Sequence, residues 1–233
     1  MLREIDINEI SDGLRYTKDS MVKIGCNECS GCSQCCHDMG NSIVLDPYDI
    51  FMLCKGLKCD FGYLMSQYIE LNVVDGIIQP NIKMLSPNSI GGFNSSTPTG
   101  NEKCGFLGDD GRCRIHAFRP GFCRLFPLGR IYENDSFTYF NQIHECPYPT
   151  KTKVKVKKWL DIPNLGEYEK YILIWHNFLK DSIKKLDSLD DEGIKNLHMS
   201  ILNVMYVQPY DISEDFYLQF NDRLSFLSNA LIK

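Results

Sequence analysis

Five cysteines fall within the eleven-residue run C-N-E-C-S-G-C-S-Q-C-C, from Cys26 to Cys36, and no other stretch constrains the fold of the chain as strongly. Cys26, Cys29, Cys32 and Cys35 recur every third position and Cys36 follows directly, so several thiolates can turn toward one centre. Cysteines two residues apart bite a single metal ion or cluster without strain, and the triple C-x2-C-x2-C spacing supplies three corners of an iron–sulfur cubane. The adjacent pair adds a constraint. Neighbouring side chains are expected to diverge, so Cys35 and Cys36 should serve two centres, or different atoms of one cluster, rather than one mononuclear ion. A disulfide knot is the competing reading, and the compartment expected for the chain weighs against it.

That compartment is read from the composition and the N-terminus. The 233 residues, 43% hydrophobic and 12% aromatic, can bury a sizeable core. A net charge of −5 gives no case for a nucleic-acid partner. The first residues, Met1-Leu2-Arg3-Glu4-Ile5-Asp6, place charges where a signal peptide needs an apolar run, and no stretch reaches the length of a membrane span. The expected location is cytoplasmic, where eleven cysteines stay reduced; the odd count also argues against a closed disulfide framework.

Residues 1 to 25 are polar and mixed, and are expected to form a short arm over the cysteine run. Ser42-Ile43-Val44-Leu45 reads as a short strand. Asp46-Pro47 is an N-cap followed by proline at the first helical position, and Ile50, Phe51, Leu53 and Cys54 give the helix its apolar face before Lys55-Gly56 stops it. Cys54 is therefore expected to act as a small buried hydrophobe, and Cys59, in the following linker, is not counted as a ligand. Asp60 can cap a second helix carrying Tyr63, Leu64, Tyr68 and Ile69. Asp75-Gly76, between apolar residues 71–74 and 77–78, predicts a tight hairpin turn. Residues 86 to 101 are rich in Gly, Pro, Ser and Asn, and read as a long loop, disordered or lying over a site.

The second dense segment runs from Cys104 to Pro127 and holds Cys104, Cys113 and Cys123. Asp109-Asp110-Gly111 predicts a turn that folds Cys104 and Cys113 side by side. Arg119-Pro120 then starts a short helical turn that brings Cys123 within reach. Arg114, Arg119 and Arg124 are interspersed with these cysteines; they are read as balancing thiolate charge and donating hydrogen bonds to sulfur, against the alternative of ordinary surface ion pairs. Residues 128–132 and 137–140 flank Glu133-Asn134-Asp135-Ser136 as another hairpin, which delivers Cys146-Pro147. His37, His116 and His144 lie near cysteines and are read as hydrogen-bonding neighbours. Lys151 to Lys158 alternates lysine with small residues; it is expected to form a solvated edge strand and to mark a domain boundary, with a cysteine domain over 1–150 and a helical extension over 151–233. Beyond it the apolar period becomes 3.6 and predicts three helices, around 168–183, 194–205 and 216–231, packing on each other and on the cysteine domain.

Cys29-Ser30-Gly31-Cys32-Ser33-Gln34-Cys35-Cys36, then Cys104-Gly105-Phe106-Leu107, Cys113-Arg114-Ile115-His116 and Arg119-Pro120-Gly121-Phe122-Cys123-Arg124-Leu125-Phe126-Pro127, together resemble the CxxCxxCC, or YkgJ-type, cysteine-cluster family of zinc- or iron-chelating domains over about residues 26 to 147. The resemblance implies eight metal-binding cysteines: Cys29, Cys32, Cys35, Cys36, Cys104, Cys113, Cys123 and Cys146. Cys26 is an addition to that pattern. A more distant likeness is to the cluster region of flagellin lysine N-methylases, although the helical tail shows no glycine-rich SAM-binding motif.

Chemistry then narrows the metal. Eight thiolates make two four-sulfur sites, for zinc or for iron–sulfur clusters; the triple C-x2-C-x2-C favours an iron–sulfur cluster, of the 4Fe–4S type, with zinc as the alternative. The fold expected is α+β. Two functions follow: a redox or cluster-based catalytic protein, in which the 86–101 loop covers the site and protein modification is one use, or a zinc-stabilised module that presents its basic strand and helices to a protein or peptide partner. A weaker third reading, Cys113 as a nucleophile beside His116, would remove Cys113 from the metal set.

Overall fold

The computed structural model describes residues 6–26, 32–86 and 102–230, beginning with a one-turn helix, α1 (Ile7–Ile10), whose N-cap Asp6 accepts from the Asn8 N–H. The arm continues into a strand, β1 (Met21–Gly25), on which Val22 and Ile24 point inward and Met21 and Lys23 outward. Then Asp46 and Asp49 build a helix start. The Asp46 carboxylate accepts from the Asp49 N–H at 2.9 Å, and the Asp49 carboxylate accepts from the Asp46 N–H at 3.2 Å. Pro47 occupies the first turn, where a missing N–H is harmless.

The resulting helix, α2 (Pro47–Leu57), buries Ile50, Phe51 and Leu53. Gly56 does not end it. A Cβ there would lie 2.5 Å from the Phe118 ring, so glycine allows the 3-10 turn His116–Phe118 to press against the helix. The stop falls at Lys58, in the left-handed region with φ 55°. Asp60 caps α3 (Phe61–Gln67), which buries Leu64 while Tyr63 stays exposed.

Four two-stranded antiparallel sheets follow from the turn chemistry and from long-range pairing among the described residues. Asp75 and Gly76, at φ 51° and 87°, join β2 (Ile69–Val74) to β3 (Ile77–Ile82), so the hairpin is longer than its apolar core suggested. Leu45 N–H donates to Pro80 and Ile82 N–H to Ile43, which lays the 42–45 segment along β3. β4 (Met84–Leu85) pairs with β5 (Lys103–Cys104) across the loop, of which residues 87–101 lie outside the described residues. After α4 (Gly121–Leu125), Asn134 and Asp135, both left-handed, join β6 (Leu128–Glu133) to β7 (Ser136–Asn141). The lysine run becomes β8 (Thr152–Lys155), paired with β1, and then one turn of helix, α5 (Val156–Leu160).

The 3.6-residue period is realised in α6 (Leu165–Leu186), α7 (Asp191–Leu202), a π-helical turn at Asn203–Val207, and α8 (Phe216–Ala230). The architecture is α+β. One hydrophobic cluster includes Ile24, Ile50, Phe106 and Leu125, and also Val156, Tyr168, Trp175, Ile201 and Phe220 from beyond the lysine run. The helices therefore pack on the cysteine-rich part. Tyr48 N–H donates to the Tyr171 hydroxyl at 3.1 Å and the Tyr206 hydroxyl donates to Leu45 at 3.2 Å, fastening α6 and the π-helical turn to the start of α2.

Asp49 also reaches across to the cysteine region: its carboxylate accepts from the Gly121 N–H, the first residue of α4, at 2.7 Å. The side chain is 3% exposed, and burial holds its carboxyl well above the usual carboxylate range. Asp49→Ala should therefore cost about 2–4 kcal/mol, as a lost cap plus unsatisfied buried N–H groups, read as a lower urea midpoint with unchanged slope.

Candidate metal centre

Separate short segments carry the cysteines inward. Cys26 directly follows β1 and is buried at 3% exposure. A 3-10 turn, Gln34–Cys36, holds Cys35 and Cys36. Cys104 ends β5, and its sulfur accepts from the Phe106 N–H at 3.5 Å. The 107–113 loop closes through Gly108 N–H to Arg112 and Arg114 N–H to Phe106. Its bridge pairs Cys113 with Leu107, so the turn is tighter than a Cys104–Cys113 pairing would make it. Cys123 sits in the middle of α4, and Cys146 lies in the segment between β7 and β8.

These segments enclose two adjoining cavities. The larger, about 340 Å³, is lined by Cys32, Cys35, Cys36, Cys104, Cys113 and Cys123. The smaller, about 40 Å³, is lined by Cys26, Cys32, Cys35, Cys123 and Cys146. Cys29 lies outside the described residues. Cys54 and Cys59 stand apart from both cavities: their thiols are hydrogen-bonded to each other, and the Cys59 N–H donates to Cys54 at 3.1 Å. That pairing has only a local signal, the closing turn at the end of α2.

Crowding sets the electrostatics of the thiols. Burial is the main force raising Cys104, Cys113 and Cys123, and neighbouring thiols push each further in the same direction. Cys35 departs from the rest. A hydrogen bond from the Cys36 thiol, helped by the Arg119 guanidinium, lowers Cys35 to about 7 and raises Cys36. The adjacent sulfurs thus meet instead of diverging, on the 3-10 turn Gln34–Cys36. Burial thus favours neutral thiols at Cys104, Cys113 and Cys123, and a bound cation would offset the charge of their thiolate forms.

The three arginines have different tasks. Arg119 lines both cavities; its Nε is buried without a hydrogen-bond partner among the described residues, and Nη1 lies 2.7 Å from His116 Nε2. Arg114 donates to the Gly105 carbonyl at 2.6 Å. Arg124, 6% exposed, turns away from sulfur: Nε donates to Arg119, Nη1 to Leu160 and Asp161, and Nη2 to Ala117, all backbone carbonyls. It braces α4 against α5 and the preceding turn. Among the histidines, His116 lines the larger cavity, His37 lies 3.3 Å from the Ser33 hydroxyl, and His144 is exposed.

The donor set suits a thiophilic metal: six cysteines on one cavity, with no carboxylate among its lining residues. A sequence model of the CxxCxxCC family, described as "Putative zinc- or iron-chelating domain", matches residues 28–147. The chain belongs to the CxxCxxCC family. No curated protein and no solved structure matches the chain. Membership makes this a metal-binding cysteine-cluster protein, of zinc or iron. Among the described residues no three His, Cys, Asp or Glu side chains converge as a single metal ion requires. No helix among the described residues is long and apolar enough to cross a membrane.

Because its donors hold four carbonyls, Arg124→Met should lower stability by about 2–4 kcal/mol through unsatisfied buried acceptors, seen as a lower denaturation midpoint. Arg119→Met should instead leave the midpoint within about 1 kcal/mol and speed metal loss to a chelator.

Proposed function

We propose that this CxxCxxCC protein is an iron–sulfur protein with a redox or cluster-based catalytic role centred on the larger cavity. The observation that carries the reading is the size of the space the thiols surround. A structural zinc ion draws four sulfurs to about 2.3 Å and leaves a closed site. Here six cysteines stand around a cavity of about 340 Å³, and no three donors among the described residues converge on a point. Sulfurs around an open volume of this size suit a polynuclear core, with space left over for a reactant.

The side chains divide the work. Cys36, Cys104 and Cys113 border only the larger cavity, and Cys123 reaches it from α4. Arg119 sets a positive charge against the thiolates without being a ligand. Phe106, Ile43 and Ile82 supply an apolar wall that keeps water from part of the space, and His116, beside Arg119, offers a proton donor or acceptor there. A bound iron–sulfur cluster would supply one-electron transfer, or a Lewis-acid position at an iron lacking a cysteine ligand.

Anaerobic purification followed by iron, labile-sulfide and zinc assays tests this. The expected protein is brown, with a broad absorption band near roughly 400 nm and matching iron and sulfide. Cys104→Ser and Cys113→Ser should each lose that band. Colourless protein carrying zinc alone would overturn the iron–sulfur reading.

A further inference from the structure

Two of the described cysteines have no part in the thiol-lined cavities. Cys54 and Cys59 border neither space, and both fall outside the eight cysteines of the family pattern. They stand together at the end of α2. The Cys59 N–H donates to the Cys54 carbonyl at 3.1 Å, and the Lys58 N–H donates to the same oxygen while Lys58 turns left-handed, at φ 55°. A helix end closed in this way folds the chain back over its last turn. A backbone bond of that length holds the two Cα atoms within the span of a disulfide, and the thiols are already hydrogen-bonded to each other. Both side chains are partly exposed, so a small reagent reaches them from solvent.

An apolar contact often accompanies a helix end of this kind, and small half-buried side chains would supply it. Packing alone needs neither sulfur at both positions nor the two sulfurs turned to each other. Burial pushes both thiols up, Cys54 to about 12, and the Asp60 carboxylate adds to this at each. The hydrogen bond between them then divides the pair, raising Cys54 and lowering Cys59. Cys59 is therefore the sulfur that ionises first, with Cys54 placed to follow.

We propose that Cys54 and Cys59 form a thiol–disulfide exchange site for low-molecular-weight disulfides, an activity separate from the metal-binding cavities and independent of which metal they hold. The Cys59 thiolate attacks one sulfur of the small disulfide; its S–S bond breaks and one small thiolate leaves. The Cys54 thiolate then attacks the Cys59 sulfur of that mixed disulfide and releases the second small thiolate. The two protons given up by the protein thiols pass through solvent to the released thiolates. The pair is thus oxidised by two electrons, and the small disulfide is reduced to two thiols. The new bond closes residues 54–59 and ties the last turn of α2 to the residue before Asp60, the N-cap of α3.

The full chain, purified with its metal in place, tests this. It is incubated anaerobically with hydroxyethyl disulfide at mildly alkaline pH, where the thiolate fraction is larger, then alkylated with iodoacetamide and cleaved at aspartate. The fragment from Ile50 to Asp60 contains both thiols and no other cysteine. In the wild type it should lose two hydrogens and take up no alkyl group. Cys54→Ser should trap the small thiol on Cys59 as a mixed disulfide; Cys59→Ser should leave Cys54 alkylated, with at least about tenfold less mixed disulfide. Metal content per chain should be the same in all three proteins. A wild-type fragment carrying two alkyl groups, or a small thiol on each sulfur, would overturn the exchange site. Metal loss in either variant would also overturn it, by placing the pair among the ligands. A colourless zinc protein whose fragment is oxidised as expected would support the exchange site while removing the iron–sulfur reading.

Discussion

One buried carboxylate couples the two halves of the cysteine site. Asp49 closes the capping box of α2 and, on its other side, accepts from the first N–H of α4. A helix of five residues has almost no stability of its own, since nucleation costs more than one turn returns. Cys123 is thus placed by a long-range bond and not by local propensity. Arg124 completes the support by drawing the carbonyls of Ala117, Arg119, Leu160 and Asp161 around one guanidinium. The short turn that carries a thiol is held from both ends by buried ionisable groups whose bonds are to backbone.

The same economy of secondary structure recurs around the other sulfurs. Cys104 ends a two-residue strand, Cys35 and Cys36 sit on a three-residue turn, and Cys113 closes a tight loop. Short elements and the turns between them line the cavities. The helical layer contributes from behind, where Tyr171 and Tyr206 bond to the backbone at the start of α2 and Tyr168, Trp175 and Phe220 join the common core. Packing on one side and short polar-braced segments on the other bring the thiols to the cavities from different directions.

Local chemistry was the most legible part of the sequence. Asp46-Pro47 started a helix and Asp75-Gly76 turned a hairpin because both signals act within four residues. The two cysteine-dense segments meet in the fold: Cys32, Cys35, Cys36, Cys104, Cys113 and Cys123 border one cavity, although 67 residues separate Cys36 from Cys104. The pairing of β1 with β8 carried no local sign, since register between distant strands depends on what the rest of the chain buries. For the same reason the bond from Asp49 to Gly121 and the turning of Arg124 toward carbonyls were invisible, and Arg124 read as a partner of sulfur because it neighbours Cys123 in sequence. Gly56 misled in another way: glycine within a helix reads as a stop unless the ring that needs the space is known.

Trp159 spans the seam between these layers. Its indole borders the smaller cavity, and its N–H donates to the Phe126 carbonyl at 3.1 Å, just past α4. The chain has two tryptophans, and the other, Trp175, lies in the helical core. The molecule thus contains a built-in optical probe: ultraviolet emission from the indole at the thiol wall responds to what lies beside it, so filling and emptying of that space can be followed in real time without attaching a dye.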